Sequence, residues 1–172
     1  MKLGKEIDIM NSTRRFNFFK RKEVNNSIHA LADGELIELA SINDPVFSTG
    51  MMGEGVAFRY VGEKVTICSP CDGILATLFP TGHAFGLVLE NGVEIIVHIG
   101  IDTINEAGRG FTVQNVKQGM LVKQGQPIVT VDLQELSKRY DMSTMLIITN
   151  ANGNSYKFKK AQMVKKDDCI TM

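Results

Sequence analysis

Two apolar, partly β-branched runs, Ala84 to Glu90 and Val93 to Ile99, are joined by Asn91-Gly92, and no other stretch limits the fold as tightly. Asn-Gly is the dipeptide that a two-residue type I′ turn prefers, because both central residues need positive φ. The pattern predicts an antiparallel hairpin with Glu90 facing Val93, Phe85 opposite His98 and Leu87 opposite Ile96. Side chains alternate along a strand, so His83, Phe85, Leu87 and Leu89 are expected on one face with Glu94, Ile96 and His98. His83 then becomes the diagonal neighbour of His98, at roughly 7–8 Å between backbone positions. One residue more or less in the loop would shift this register.

The surrounding sequence has the same texture. From Ile28 onward, short apolar segments are punctuated by Gly34, Asn43-Asp44-Pro45, Gly50, Gly53, Gly62, Gly73, Gly82 and Gly92, as expected of many short strands. Asp33-Gly34-x-Leu36-x-x-Leu39 is echoed by Asp72-Gly73-x-Leu75-x-x-Leu78, and Gly119 to Val129 is echoed loosely by Met163 to Ile170. The main helix candidate is short. Asp132 is placed to cap it, Glu135 stands three residues on, and Leu133, Leu136 and Tyr140 share one side. Leu146 to Thr149 reads as a buried strand. The expectation is an all-β fold, an antiparallel β-sandwich or compressed barrel with short helices and a duplicated motif. Residues 28–172 would form the domain and residues 1–27 a flexible basic N-terminal tail.

Composition narrows the partners. Nineteen basic and nineteen acidic residues cancel, and no basic stripe runs through the body, which argues against nucleic acid. No apolar run reaches the roughly 18 residues of a membrane span and no signal-peptide core opens the chain, so a cytoplasmic location is expected. The tail gathers Arg14, Arg15, Lys20, Arg21 and Lys22 around Phe16, Phe18 and Phe19. It reads as a solvated leader, with peripheral contact to an anionic membrane as the alternative. The cysteines are odd in number, Cys68, Cys71 and Cys169; Cys68 and Cys71 have redox or zinc spacing, but no second Cys-x-x-Cys and no helix signal follow, so they read as small buried hydrophobes.

Histidine titrates near neutrality and offers one nitrogen for chemistry while a hydrogen bond pins the other. Two imidazoles at one place suit metal binding, acid-base work or a covalent intermediate. His98 ends an apolar strand just before Gly100, where a freed carbonyl could hold Nδ1–H and leave Nε2 outward. Phe47, Phe79, Phe85 and Ile96 are available as an apolar rim. His29, isolated at the start of the domain, reads as structural.

Gly92-Val-Glu-Ile-Ile-Val-His98-Ile-Gly100-Ile-Asp102-Thr103 resembles the phosphorylation-site signature of the glucose-type enzyme IIA of the sugar phosphotransferase system. The likeness extends from about Asp33 to Ile170, through Thr81-Gly82-His83-Ala84-Phe85, Gly108-x-Gly110-Phe111 and Val122-x-x-Gly125. It implies that His98 accepts a phosphoryl group on Nε2 from the histidine-containing phosphocarrier protein and passes it to a cysteine on the IIB domain of a membrane sugar transporter. His83 would hold the phosphoryl oxygens, Thr81 would orient His83, and the Gly100 carbonyl would hold His98. Asp44 and Asp102 match acidic positions that meet a basic residue of the carrier, and Val46, Phe47, Phe79, Phe85 and Ile96 match its apolar docking face. No intrinsic cofactor is implied; a zinc ion would be one shared with a partner through His83 and His98, and regulatory targets are a further class of partner.

Two departures stand out: Ile96 and Ile99 occupy places where the family often has phenylalanine, and Ser48-Thr49-Gly50 replaces a more charged segment. Three rivals remain. A zinc hydrolase of related β architecture needs His-x-His, but position 100 is glycine. A biotinyl- or lipoyl-like carrier needs an exposed lysine on a turn, commonly beside methionine, and no Met-Lys-Met occurs. A regulatory paralogue would dock partners without transfer.

Overall fold

The computed structural model describes residues 24–172; the tail expected over residues 1–27, with its basic and aromatic knot, falls outside the described residues as far as position 23. Eleven strands are described: β1 (Gly34–Glu38), β2 (Glu54–Arg59), β3 (Lys64–Cys68), β4 (Gly73–Leu78), β5 (Ala84–Val88), β6 (Glu94–Ile99), β7 (Phe111–Val113), β8 (Leu121–Val122), β9 (Pro127–Asp132), β10 (Thr144–Asn150) and β11 (Gln162–Val164). Two single-turn helices, α1 (Pro45–Ser48) and α2 (Leu133–Leu136), accompany them. An eight-stranded sheet runs β11-β1-β2-β10-β6-β5-β4-β8, and a smaller one runs β3-β9-β7. Every pairing described is antiparallel, as expected of the all-β sandwich.

Between the sheets lies the main core, with Phe58, Phe85, Leu87, Ile95, Val97, Ile128 and Leu146 essentially without solvent contact. Each such side chain contributes about 1.5–3 kcal/mol by leaving water. A second, smaller cluster sits on the outer face of the large sheet, where Phe47 of α1 packs over Ala57, Met145 and Ile147. This cluster is the floor beside which the histidines stand.

The two sequence echoes prove to be one structure used twice. Gly34 opens β1 opposite Val164, and Gly73 opens β4 opposite Val122. In each copy the preceding aspartate accepts a backbone N–H from the following turn, Asp33 from Lys166 at 2.7 Å and Asp72 from Gln124 at 2.9 Å. Gly125 and Asp167, at equivalent turn positions, both have positive φ. Short Asp-Gly signatures thus mark two equivalent antiparallel strand pairs at opposite edges of the large sheet.

The β5–β6 hairpin forms, but in another register. Leu89 N donates to Val93 O and Gly92 N to Leu89 O, which encloses a three-residue loop, Glu90-Asn91-Gly92. Gly92 has φ +81° whereas Asn91 is not in the left-handed region, so the turn is type I followed by a glycine bulge instead of type I′. One local and one tertiary contact favour it: Asn91 Oδ1 accepts from Val93 N, and Asn152 Nδ2 donates to Asn91 O at 2.7 Å. Ala84, not Phe85, therefore faces His98, and Gly86, not Leu87, faces Ile96. Phe85, Leu87 and Leu89 turn into the core, which corrects both the shared face and the placing of Phe85 on the docking rim.

Around Asp132 the helix forms as one turn. Asp132 Oδ1 accepts from Glu135 N, but Glu135 does not reach back; its carboxylate pairs with Lys138 and Arg139. The Asn-Asp-Pro punctuation hides α1, in which Asp44 caps Val46 N at 2.9 Å and Pro45 starts the turn, where its missing N–H costs nothing.

Candidate functional site

His98 lies near the end of β6, on the outer face of the large sheet, between Ala84 of β5 and Met145 of β10. His83 stands one residue ahead of β5, where strict alternation no longer fixes its side chain. The two rings meet edge to face with centroids 5.3 Å apart. Phe47 lies 5.1 Å from the His98 ring and Phe79 5.1 Å from the His83 ring, so an aromatic side chain flanks each imidazole.

Each ring is pinned through Nδ1. His98 Nδ1 lies 2.9 Å from the Gly100 carbonyl, which can only accept, so Nδ1 carries the proton and Nε2 keeps its lone pair. The carbonyl is itself held in place. Gly100 has φ +74°, and a Cβ there would come within 2.5 Å of Thr103 Cγ2, so both backbone shape and space demand glycine. Gly100 N donates to Ser143 O and Ile101 N to Asp141 O, tying the loop to the start of β10. His83 Nδ1 is hydrogen-bonded to Thr81 Oγ1 at 2.5 Å.

Burial lowers the pKa of both histidines below the ordinary imidazole value. For His83 the neighbouring His98 acts in the same direction; for His98 the Gly100 carbonyl, Asp44 and Asp102 partly oppose it. Both rings are therefore neutral at neutral pH, and the site is poised to receive negative charge with nitrogen lone pairs intact.

Most residues expected at the site converge there. Thr81, His83, His98 and Gly100 form the polar centre, and Asp44 and Asp102 lie close enough to act on His98 electrostatically. Phe47, Phe79 and Ile96 surround it, and Val46, beside Phe47, is exposed. Phe85 is the exception, being wholly buried. His29 sits elsewhere, its Nδ1 3.2 Å from the Pro70 carbonyl. Cys68 and Cys71 are buried free thiols, and burial pushes Cys71 up to about 12, which leaves it without thiolate character.

One cluster escapes sequence reasoning. Glu106, almost wholly buried, accepts from Tyr140 Oη at 2.8 Å and Arg139 Nε at 3.2 Å, and pairs with Arg109 at 3.3 Å. It fastens the turn after Gly100 to the segment leading into β10. Arg139 lies 33 residues away, so no local spacing announces the pair.

Among the described residues no group of three or more His, Cys, Asp or Glu side chains is arranged to hold a metal ion. His83 and His98 supply two nitrogen donors, short of a zinc site of this chain's own; the remaining ligands would have to come from a partner. No helix among the described residues is long and apolar enough to cross a membrane.

Comparison with known proteins agrees with this geometry. Residues 26–154 match the model of the family described as phosphoenolpyruvate-dependent sugar phosphotransferase system, EIIA 1. The chain is 35% identical over 158 residues to the PTS system glucose-specific EIIA component of Haemophilus influenzae, covering 91% of this chain and 93% of that protein. It is 38% identical over 141 residues to the PTS system glucose-specific EIICBA component of Streptococcus pneumoniae, covering 81% of this chain but only 19% of that longer protein. Among solved structures, the glucose permease IIA from Mycoplasma capricolum superposes with a TM-score of 0.79 at 36% identity, over 84% of this chain and 93% of that one. With its two apposed histidines and its all-β scaffold, the chain belongs to the EIIA 1 family of the phosphoenolpyruvate-dependent sugar phosphotransferase system.

Proposed function

We propose that this chain is a phosphocarrier, with residues 28–172 as the transferring domain, that holds a phosphoryl group on His98 Nε2 between two partners. The donor is the histidine-containing phosphocarrier protein and the acceptor a cysteine on the IIB domain of a membrane sugar transporter. The observation that carries this reading is the His98 Nδ1 bond to the Gly100 carbonyl, which commits the ring to the tautomer with a nucleophilic Nε2. The name of the S. pneumoniae relative, EIICBA, joins EIIA with EIIB and EIIC in one protein, which supports a IIB domain as the next station.

In the first step the Nε2 lone pair attacks phosphorus in line while the donor's P–N bond breaks and its electron pair returns to the donor imidazole. In the second, a cysteine thiolate attacks the same phosphorus and the Nε2–P bond breaks. Transfer of this kind depends on positioning and charge stabilisation more than on acid-base help. His83 suits the second need: when Thr81 Oγ1–H donates to its Nδ1, its Nε2–H is free to donate to a phosphoryl oxygen. The exposed Val46 and the half-exposed Phe79 and Ile96 offer a dry surface for both partners, and Asp44 and Asp102 offer acceptors for a basic residue of the carrier.

The test is incubation with phosphoenolpyruvate, enzyme I and the phosphocarrier protein, followed by intact mass. One acid-labile phosphoryl group, about 80 Da, is expected, and none in His98→Ala. An unphosphorylated wild-type chain that still binds the carrier would favour the regulatory paralogue instead.

A further inference from the structure

We propose that Asp141 is a positioning residue: by closing the turn ahead of β10 it fixes the plane of the Gly100–Ile101 peptide and so selects the tautomer of His98. The Gly100 carbonyl that accepts from His98 Nδ1 belongs to this peptide. On the opposite edge of the same plane Ile101 N donates to Asp141 O at 2.9 Å, and the preceding amide, Gly100 N, donates to Ser143 O at 3.0 Å. A peptide unit is planar with its C=O and N–H pointing opposite ways, so holding one aims the other. Gly100 cannot do this unaided, because glycine moves through φ/ψ space more freely than any other residue. Two residues on, Asp102 has φ +59°, a costly conformation for a residue with a Cβ. Were the Gly100–Ile101 peptide to turn over, its N–H would face His98 Nδ1, which would then have to accept. The ring proton would move to Nε2, and the lone pair that attacks phosphorus would be gone.

Asp141 supplies the restraint from a distant segment of the chain. Its Oδ1 accepts from Ser143 N at 2.9 Å and from Ser143 Oγ at 2.7 Å, closing an Asx turn that presents Asp141 O and Ser143 O to the two amides. Met142, between them, is buried, and its sulfur sits where a Cβ on Gly100 would come within 3.0 Å. Ser143 is buried as well, so the turn has little room for another shape. Acceptors and donors then run in series: the Asp141 carbonyl, Ile101 N–H, the Gly100 carbonyl and His98 Nδ1–H. Bonds in such a series polarise and strengthen one another. Among the described hydrogen bonds none joins Asp141 to either imidazole, so its carboxylate reaches His98 through the peptide. The turn thus orients the carbonyl that orients the ring, as outer partners do for the ligating histidines of metal sites.

The test reads the tautomer directly, in a long-range ¹H–¹⁵N spectrum of the unphosphorylated full chain. Wild-type His98 should show widely separated ring nitrogens, Nδ1 protonated and Nε2 bare. In Asp141→Ala the two resonances should draw together, the ratio of Nε2–H to Nδ1–H rising about 3–10-fold, as expected for the loss of a hydrogen bond. Asp141→Asn keeps Oδ1 as an acceptor and should restore the wild-type spectrum. Ser143→Ala, which removes one of the two bonds, should give a smaller change of the same kind, and it decides the matter should Asp141→Ala not fold. The spectrum needs no phosphoryl donor, so it stands or falls apart from the phosphocarrier reading; only a second, kinetic readout rests on that reading. With the phosphocarrier protein as donor, kcat for Asp141→Ala should fall in proportion to the Nδ1–H share lost, with KM for the carrier unchanged. An unaltered His98 spectrum in Asp141→Ala, or no rescue by Asp141→Asn, would overturn the proposal. A raised KM with an unaltered tautomer would make Asp141 a docking contact beside Asp102, with which it lines a cleft of about 350 Å³, and overturn it equally.

Discussion

Two polar clusters flank the loop from Gly100 to Glu106, and they are built on opposite principles. On the outer face, His83 and His98 are kept neutral by burial, each with Nδ1 occupied and Nε2 unassigned by any bond among the described residues. Behind the loop, Glu106 is kept charged: the Tyr140 hydroxyl, then the Arg139 and Arg109 guanidiniums, hold its carboxyl below the usual carboxylate range. The buried carboxylate of the second cluster is already satisfied by donors of the chain itself. The first lacks a compensating charge, which suits it to receive an anion that comes and goes. Burial is common to both; what separates a site from a strut is whether hydrogen-bonding capacity remains.

The sharpest way to break this contrast is His83→Gln. The variant should accept a phosphoryl group on His98 but pass it on about 10²–10³-fold more slowly, the usual consequence of losing one donor to a developing charge. Single-turnover transfer to a IIB domain measures this, and normal onward transfer would remove His83 from the mechanism. Next in size is a contrast within the expected rim. Phe85→Ala, deep in the core, should cost about 3–5 kcal/mol in chemical denaturation. Phe79→Ala, half-exposed against His83, should cost only about 1 kcal/mol while weakening transfer. If Phe85→Ala were harmless to stability, the three-residue loop and the β5–β6 register that follows from it would be wrong.

Acid then separates the clusters by what is lost, stability in one and phosphoryl acceptance in the other. Because the folded-state pKa of Glu106 is depressed, its contribution to stability is full above the unfolded carboxylate value of 4.5 and is lost as pH falls through the folded value. Glu106→Gln should lower Tm by several degrees at neutral pH and flatten the acid limb of the Tm profile. The histidine pKa values are lowered too, but the form retained is the uncharged one: neutral, phosphoryl-accepting rings persist below the ordinary imidazole value of 6.5. The initial rate of phosphorylation should therefore begin to fall only below that pH.

Much of this was legible in the sequence because its signals are local. Asp-Gly at 33–34 and 72–73 marks two equivalent strand starts, and the run Val93 to Ile99 marks a strand with a histidine near its end, two residues before a glycine. Loop length was not legible. Asn91-Gly92 suits a two-residue turn, but contacts from Val93 and Asn152, the latter 61 residues away, select a three-residue one, and that single residue turns Phe85 from rim to core. Glu106 was invisible for a related reason. Its partner Arg139 comes from a distant loop, and nothing in Thr103-Ile-Asn-Glu106 signals burial. His83 met His98 although the faces were misassigned, because it lies just beyond the regular strand and its ring is directed by Thr81.

The central claim concerns one nitrogen. In the phosphorylated full chain, a long-range ¹H–¹⁵N spectrum of the imidazoles should show phosphorus coupling at Nε2 of His98, with Nδ1 still protonated and bonded to the Gly100 carbonyl. Coupling at Nδ1 of His98, or on either nitrogen of His83, would contradict the account.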